Sequence, residues 1–181
     1  MKKIAIVLLL LFFTVKTFSQ SEERFVVKIN PLSALLSTGS LFLETKLDNS
    51  KSLQLGVAYM GLSAGDLKYS GIILTPEMRF YMKERAISGG YIAPYFRFQR
   101  YSISDESTSP NSEISYTSFG GGLLFGRQWV FESGFVFDLF GGPSYNEGKF
   151  KYESGSSSED NFLFGLNGMG IRIGVAIGFG F

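Results

Sequence analysis

From Ile171 to the last residue the chain alternates without exception. Ile171, Ile173, Val175, Ile177, Phe179 and Phe181 are apolar, and Arg172, Gly174, Ala176, Gly178 and Gly180 between them are small or charged. A period of two puts these sets on opposite faces of a strand, whereas a helix would mix them on every face. No other feature restricts the fold so tightly: the chain must build a sheet with one greasy side and one side of small and polar residues.

The same period recurs upstream in seven segments. Val27 and Ile29 alternate with Lys28 and Asn30, and Leu41, Leu43, Thr45 and Leu47 with Phe42, Glu44 and Lys46. Leu53, Leu55, Val57 and Tyr59 are set against Gln54, Gly56 and Ala58, then Met78, Phe80 and Met82 against Glu77, Arg79 and Tyr81. Ile92, Phe96 and Phe98 oppose Ala93, Tyr95, Arg97 and Gln99. Phe119, Leu123 and Phe125 oppose Ser118, Gly120, Gly122 and Gly126, and Phe135, Phe137 and Leu139 oppose Asp138 and Ser144. Leu124, Val136 and Phe140 interrupt the pattern by placing apolar side chains on the polar face. The expected fold is all-β, an eight-stranded antiparallel up-and-down transmembrane β-barrel.

Connection lengths orient this barrel. Asp48 to Lys51 and Arg127 to Ser133 are brief and Lys83 to Gly90 is moderate, all following even-numbered strands. Ser102 to Ser115 and Tyr145 to Asn161 are long, polar and Ser-rich, and follow odd-numbered strands. Outer-membrane barrels have short periplasmic turns and longer external loops, so the two long segments are expected outside the cell.

The N-terminus reads as an export signal: Met1, Lys2 and Lys3, an apolar block from Ile4 to Val15, then the small residues Thr17 and Ser19 before Gln20. A signal peptide over 1–19 and a single barrel domain over 20–181 are expected. The apolar block is shorter than the roughly 20 residues a helix needs to span a bilayer, which argues against a retained anchor. Of 17 basic and 16 acidic residues, Lys2, Lys3 and Lys16 fall in this leader, leaving 14 basic residues and nothing that attracts nucleic acid. With no cysteine there is neither a disulfide framework nor a lipidated anchor.

Several stretches carry a likeness to known proteins: KINPLS (Lys28 to Ser33), SLQLGVAY (Ser52 to Tyr59), YIAPYFRF (Tyr91 to Phe98), GGGLLFGRQWVFESGF (Gly120 to Phe135) and GIRIGVAIGFGF (Gly170 to Phe181). They resemble a family of small bacterial outer-membrane β-barrels classified only as a domain of unknown function. More loosely, the architecture is similar to OmpX and the OmpA membrane domain. The resemblance implies the fold and an outer-membrane location in a Gram-negative envelope, and it brings no catalytic or ligand residues. Phe181 with Phe179 also resembles the C-terminal signal read by the barrel-assembly machinery, with Gly174 and Arg172 upstream when Ile177 and Phe179 are taken as its two apolar positions. A merely greasy last strand is the plainer reading.

The absence of histidine removes the commonest general base and metal ligand. An enzyme is therefore not expected, nor a cofactor, and any metal site would rest on carboxylates and carbonyls. Lys28, Glu44, Lys46, Glu77, Arg79, Arg97, Asp138 and Arg172 fall on the face opposite the apolar one. Facing into an eight-stranded lumen, which side chains just fill, they read as a structural charge network. An acid-base site or proton path built from Glu44, Glu77 and Asp138 is the functional alternative. Gly120, Gly121 and Gly122 lack a following GK[ST] and read as strand positions that make room for bulky neighbours. Pro76 and Pro94 suggest bulges.

The expected role is a structural or interaction barrel. Its expected partners are outer-membrane lipid and lipopolysaccharide, the assembly machinery, and an envelope or extracellular protein met by loops 102–115 and 145–161. A narrow channel, an envelope lipid-modifying enzyme and a soluble lipocalin-like barrel with the faces inverted are the alternatives.

Overall fold

The computed structural model describes residues 24–64, 67–82, 86–105, 113–152 and 167–181. The expected signal peptide lies outside the described residues. Eight strands follow one another: β1 (Phe25–Ile29), β2 (Thr38–Lys46), β3 (Lys51–Ala64), β4 (Leu67–Tyr81), β5 (Gly89–Asp105), β6 (Glu113–Val130), β7 (Phe135–Tyr152) and β8 (Gly168–Gly180). Each pairs antiparallel with its neighbours and β1 closes on β8, so the sheet is a barrel. A short 3-10 helix, Pro31–Leu36, separates β1 from β2. Among the described residues no helix is long and apolar enough to cross a membrane, which says nothing of a β-barrel.

The alternation decides sidedness. Leu43, Leu55, Phe96, Phe119, Phe125 and Leu139 are exposed on the outside, while Glu44, Gln54, Tyr95, Ser118, Leu124 and Asp138 beside them are buried inside. The three residues that break the pattern follow the same parity. Leu124, Val136 and Phe140 are buried because they fill the lumen. Four inward aromatic rings fit because a glycine stands directly across the ladder from each: Phe42 faces Gly56, Tyr91 Gly126, Tyr95 Gly122 and Phe140 Gly174. A Cβ on Gly126 would lie 2.4 Å from Tyr91 Cζ, and one on Gly174 2.5 Å from Phe140 Cζ.

Two expectations need correction. The strands run further than the alternation indicated, so the segments 102–115 and 145–161 are not wholly loop. β5 continues to Asp105, β6 begins at Glu113 and β7 reaches Tyr152, with Tyr101 opposite Tyr116 and Ile103 opposite Ile114. Polar side chains do not stop a ladder whose backbone groups go on pairing; only the tips, 106–112 and 153–166, lie outside the described residues. Nor do Pro76 and Pro94 form bulges. The register between β4 and β5 is the same on both sides of them, with Leu74 opposite Phe98, Glu77 opposite Tyr95 and Phe80 opposite Ile92. Each proline leaves a gap in the ladder instead of shifting it, because it lacks the N–H but keeps an extended backbone.

Arg24 and Phe181 sit together at one end of the barrel, the terminus end, with the short turns. There Arg24 and Phe25 donate their backbone N–H groups to the carbonyl of Phe181 at 2.7 and 3.1 Å. The hairpins β3–β4, β5–β6 and β7–β8 project at the opposite end. Ile87, in the turn between β4 and β5, folds over the terminus end and packs with Val26, Val136 and Val130.

Candidate functional site

The lumen has two storeys. Toward the terminus end, alternation in four different strands brings Lys28, Glu44, Glu77, Arg79 and Asp138 together, each at most 2% exposed, and β8 adds Arg172. Lys28 Nζ donates to Glu44 Oε2 at 2.7 Å, to Asp138 Oδ2 at 3.0 Å and to Gln128 Oε1. Arg79 gives Nη1 to Asp138 Oδ2 at 2.9 Å, and Nε and Nη2 to Glu77 Oε1 at 3.2 and 3.0 Å. Arg172 Nη1 reaches Glu77 Oε2 at 2.7 Å. Lys28, Arg79 and Arg172 thus balance Glu44, Glu77 and Asp138, and the cluster is neutral as a unit.

Neutral residues complete it. Glu44 Oε1 accepts the hydroxyls of Ser52 and Tyr81 at 2.5 and 2.6 Å, and Asp138 Oδ1 that of Tyr91 at 2.9 Å. Gln54 Nε2 donates to Glu77 Oε1 at 2.8 Å. Gln128 Nε2 donates to Glu44 Oε2 at 3.1 Å and to the Ile87 carbonyl at 2.7 Å, tying the cluster to the turn below. Every oxygen of the three carboxylates therefore has a donor. Such a network is rigid, because removing any partner leaves a charge stranded away from water. Each of the three carboxylates is also ion-paired to at least one buried or nearly buried cation. Among the described residues no group of acidic side chains is arranged to hold a metal ion.

The family model described as protein of unknown function (DUF3575) matches residues 5–161. The chain belongs to that family. The match begins within the expected leader and ends before β8, so the C-terminal segment that carried part of the resemblance lies beyond it. No curated protein and no solved structure matches the chain.

Two of the eight charged residues stand apart from this cluster. Lys46 is half-buried at the end of β2, opposite Ser52. Arg97 belongs to the second storey, a cavity of about 440 Å³ toward the hairpin end. Its floor holds Phe42, Phe140 and Arg172, and its walls carry Ser40, Ser144 and Asn146. Arg97 Nε donates to Thr75 Oγ1 at 3.5 Å, and no carboxylate lies within ion-pair distance of it among the described residues. Phe179 and Phe181 are on the exterior at the terminus end, Phe179 against Phe135 with ring centroids 6.0 Å apart.

Sequence reasoning reached the charged members but missed Ser52, Gln54, Tyr81, Tyr91 and Gln128 as their partners. The signal was available, since these residues share the parity of the inward-facing set in their own strands. Ile87 had none: it enters the lumen from a turn, at φ 78°, where no period applies.

Proposed function

We propose that the protein is an outer-membrane barrel, embedded in lipid and sealed at its terminus end, which acts by interaction and not as a channel or an enzyme. One observation carries this reading. The exterior is an apolar band of limited height: along β7 the outward residues Phe135, Phe137, Leu139, Gly141, Pro143 and Tyr145 are uncharged, and Glu147 and Lys149 follow. At about 3.3 Å per residue and a tilt of about 40°, Phe135 to Tyr145 rises about 25 Å, the height of the apolar belt of an outer-membrane barrel. Aromatic rings gather at its lower margin, with Trp129 against Phe137 and Arg127 over Trp129. A soluble lipocalin-like barrel would need the reverse sidedness, with charge outside and the apolar set within.

The bonded cluster and the cap of Val26, Ile87 and Val136 block the bore, which argues against a conducting channel. The ion-paired carboxylates and the missing histidine argue against envelope enzymology. Export by a cleaved leader, assembly through Phe179 and Phe181, and contact of the hairpin end with lipopolysaccharide or an envelope protein belong to the same proposal. Cell fractionation tests it: the protein should pellet with the outer membrane, need detergent for release and migrate faster on gels when unheated, because a closed barrel makes its hydrogen bonds internally. Recovery as a folded, detergent-free periplasmic protein would end the reading.

A further inference from the structure

The barrel wall has a seam. β1 pairs with β8 only from Val26 opposite Gly180 to Ile29 opposite Ile177, and with β2 only as far as Leu41. Pro31 has no N–H to continue either ladder, and Asn30 turns the chain instead by accepting the N–H groups of Leu32 and Ser33 at 2.9 and 3.3 Å. Toward the hairpin end β8 continues to Gly168 paired with β7 alone, and β2 from Ser40 back to Thr38 with β3 alone. One strand is missing between them over this height. The spacing of paired strands puts β8 and β2 about 10 Å apart there, with the 3-10 helix lying in the gap.

The cavity opens into this seam. Ile171 and Ile173 point outward and are 80% and 78% exposed, yet they line the cavity together with Ser33 of the 3-10 helix. With Leu35 at 82% and Met169 at 88% they are all strongly exposed; Met169, Ile171 and Ile173 belong to β8 at the edge of the gap, and Leu35 to the 3-10 helix within it. Inside, the charge is of one sign. Arg172 is matched by Glu77 from below, which leaves Arg97 as a single surplus cation, and Asn146 Oδ1 is buried without a hydrogen-bond partner.

An apolar rim outside, one unmatched guanidinium inside and an opening at the height of the apolar band describe the complement of an anionic amphiphile. We propose that the cavity binds one anionic phosphoglyceride laterally. Its phosphodiester lies on Arg97, a headgroup hydroxyl donates to Asn146, and its acyl chains leave through the seam across Leu35, Ile171 and Ile173. The single surplus charge selects a singly charged head, and about 440 Å³ holds a headgroup but not the chains. This inference rests on the outer-membrane reading above.

The test uses the full chain folded in phosphatidylcholine nanodiscs doped with phosphatidylglycerol, with retained lipid counted by native mass spectrometry. Wild type should keep one phosphatidylglycerol. Arg97→Met should weaken retention about ten-fold or more, Arg97→Lys less, and Arg127→Met, on the outer surface, not at all. A photoreactive group on the acyl chain should crosslink to the 3-10 helix or to the Ile171–Ile173 stretch. Gel mobility of the unheated samples checks that each variant is folded. Absence of retained lipid, equal retention by folded Arg97→Met, or competition by glycerol 1-phosphate at the same concentration as the lipid would each overturn the proposal, the last by making the ligand a soluble anion. Fractionation with the outer membrane is scored before any lipid is added, so a barrel that passes that test and retains no lipid removes this inference alone.

Discussion

Arg79 and Arg97 both point into the lumen, and both are set there by the parity of their strands, yet they live in different halves of it. Arg79 is fully buried and donates to Asp138, Glu77, Glu44 and Gln128, with its guanidinium 4.3 Å from the centre of the Tyr91 ring. Arg97 has one long bond, to Thr75, beside a cavity. The difference lies in height along the barrel. Around Arg79 the lumen supplies carboxylates, Glu44 from β2, Glu77 from its own strand and Asp138 from β7; around Arg97 it supplies Gly120, Thr75 and Ser144. A charge balanced by its neighbours holds the fold together, and a charge left over beside a cavity is free to bind.

The largest expected effect comes from breaking the balanced half. Arg79→Ala should lower stability by about 3–5 kcal/mol, since it strands buried carboxylates, as measured by urea unfolding in detergent micelles followed by the shift in gel mobility. A loss below about 1 kcal/mol would mean that the cluster is not a structural unit. Next, Gly126→Ala drives a methyl group against Tyr91 and should lower stability by about 1–3 kcal/mol in the same assay. No effect would show that the Tyr91 ring can yield. In the other half, Arg97→Met should change stability by about 1 kcal/mol or less. If it proves as damaging as Arg79→Ala, the contrast between the storeys is wrong.

The smallest effect lies outside the lumen altogether. The solvent-exposed carboxyl of Asp48, in the turn between β2 and β3, is held at about 2, below its ordinary 3.8. The backbone N–H of Ser50 is the main cause, with the Ser50 hydroxyl and the Lys51 ammonium helping. Because the folded value is depressed, its stabilising contribution is complete above the ordinary value and lost as pH falls from about 4 toward 2. Asp48→Asn should therefore unfold slightly more easily than wild type at pH 7, with the gap closing across that acid range. A gap that persists to the bottom of the range would place its origin in something other than this ionisation.

Much of this was legible in the chain. A period of two depends only on neighbouring residues, so the eight strands, their two faces and the inward direction of Arg79, Asp138 and Arg172 could be read without knowing what lay across from them. The interruptions at Leu124, Val136 and Phe140 obeyed the same parity and needed only a lumen to fill. Strand ends were less legible: at Tyr101 to Asp105 and Glu113 to Tyr116 pairing persists through polar residues, because it is the backbone that bonds.

What tertiary structure alone decided was height. Which carboxylate meets which cation depends on register summed around eight strands. It brings Lys28 to Asp138, far apart in sequence, and leaves Arg97 without a carboxylate partner among the described residues. The seam arose in the same way, since the shortness of β1 acquires meaning only when β8 and β2 run past its end. Parity is a local property of an extended chain; level within a closed barrel is a property of the whole ring, and no single strand contains it.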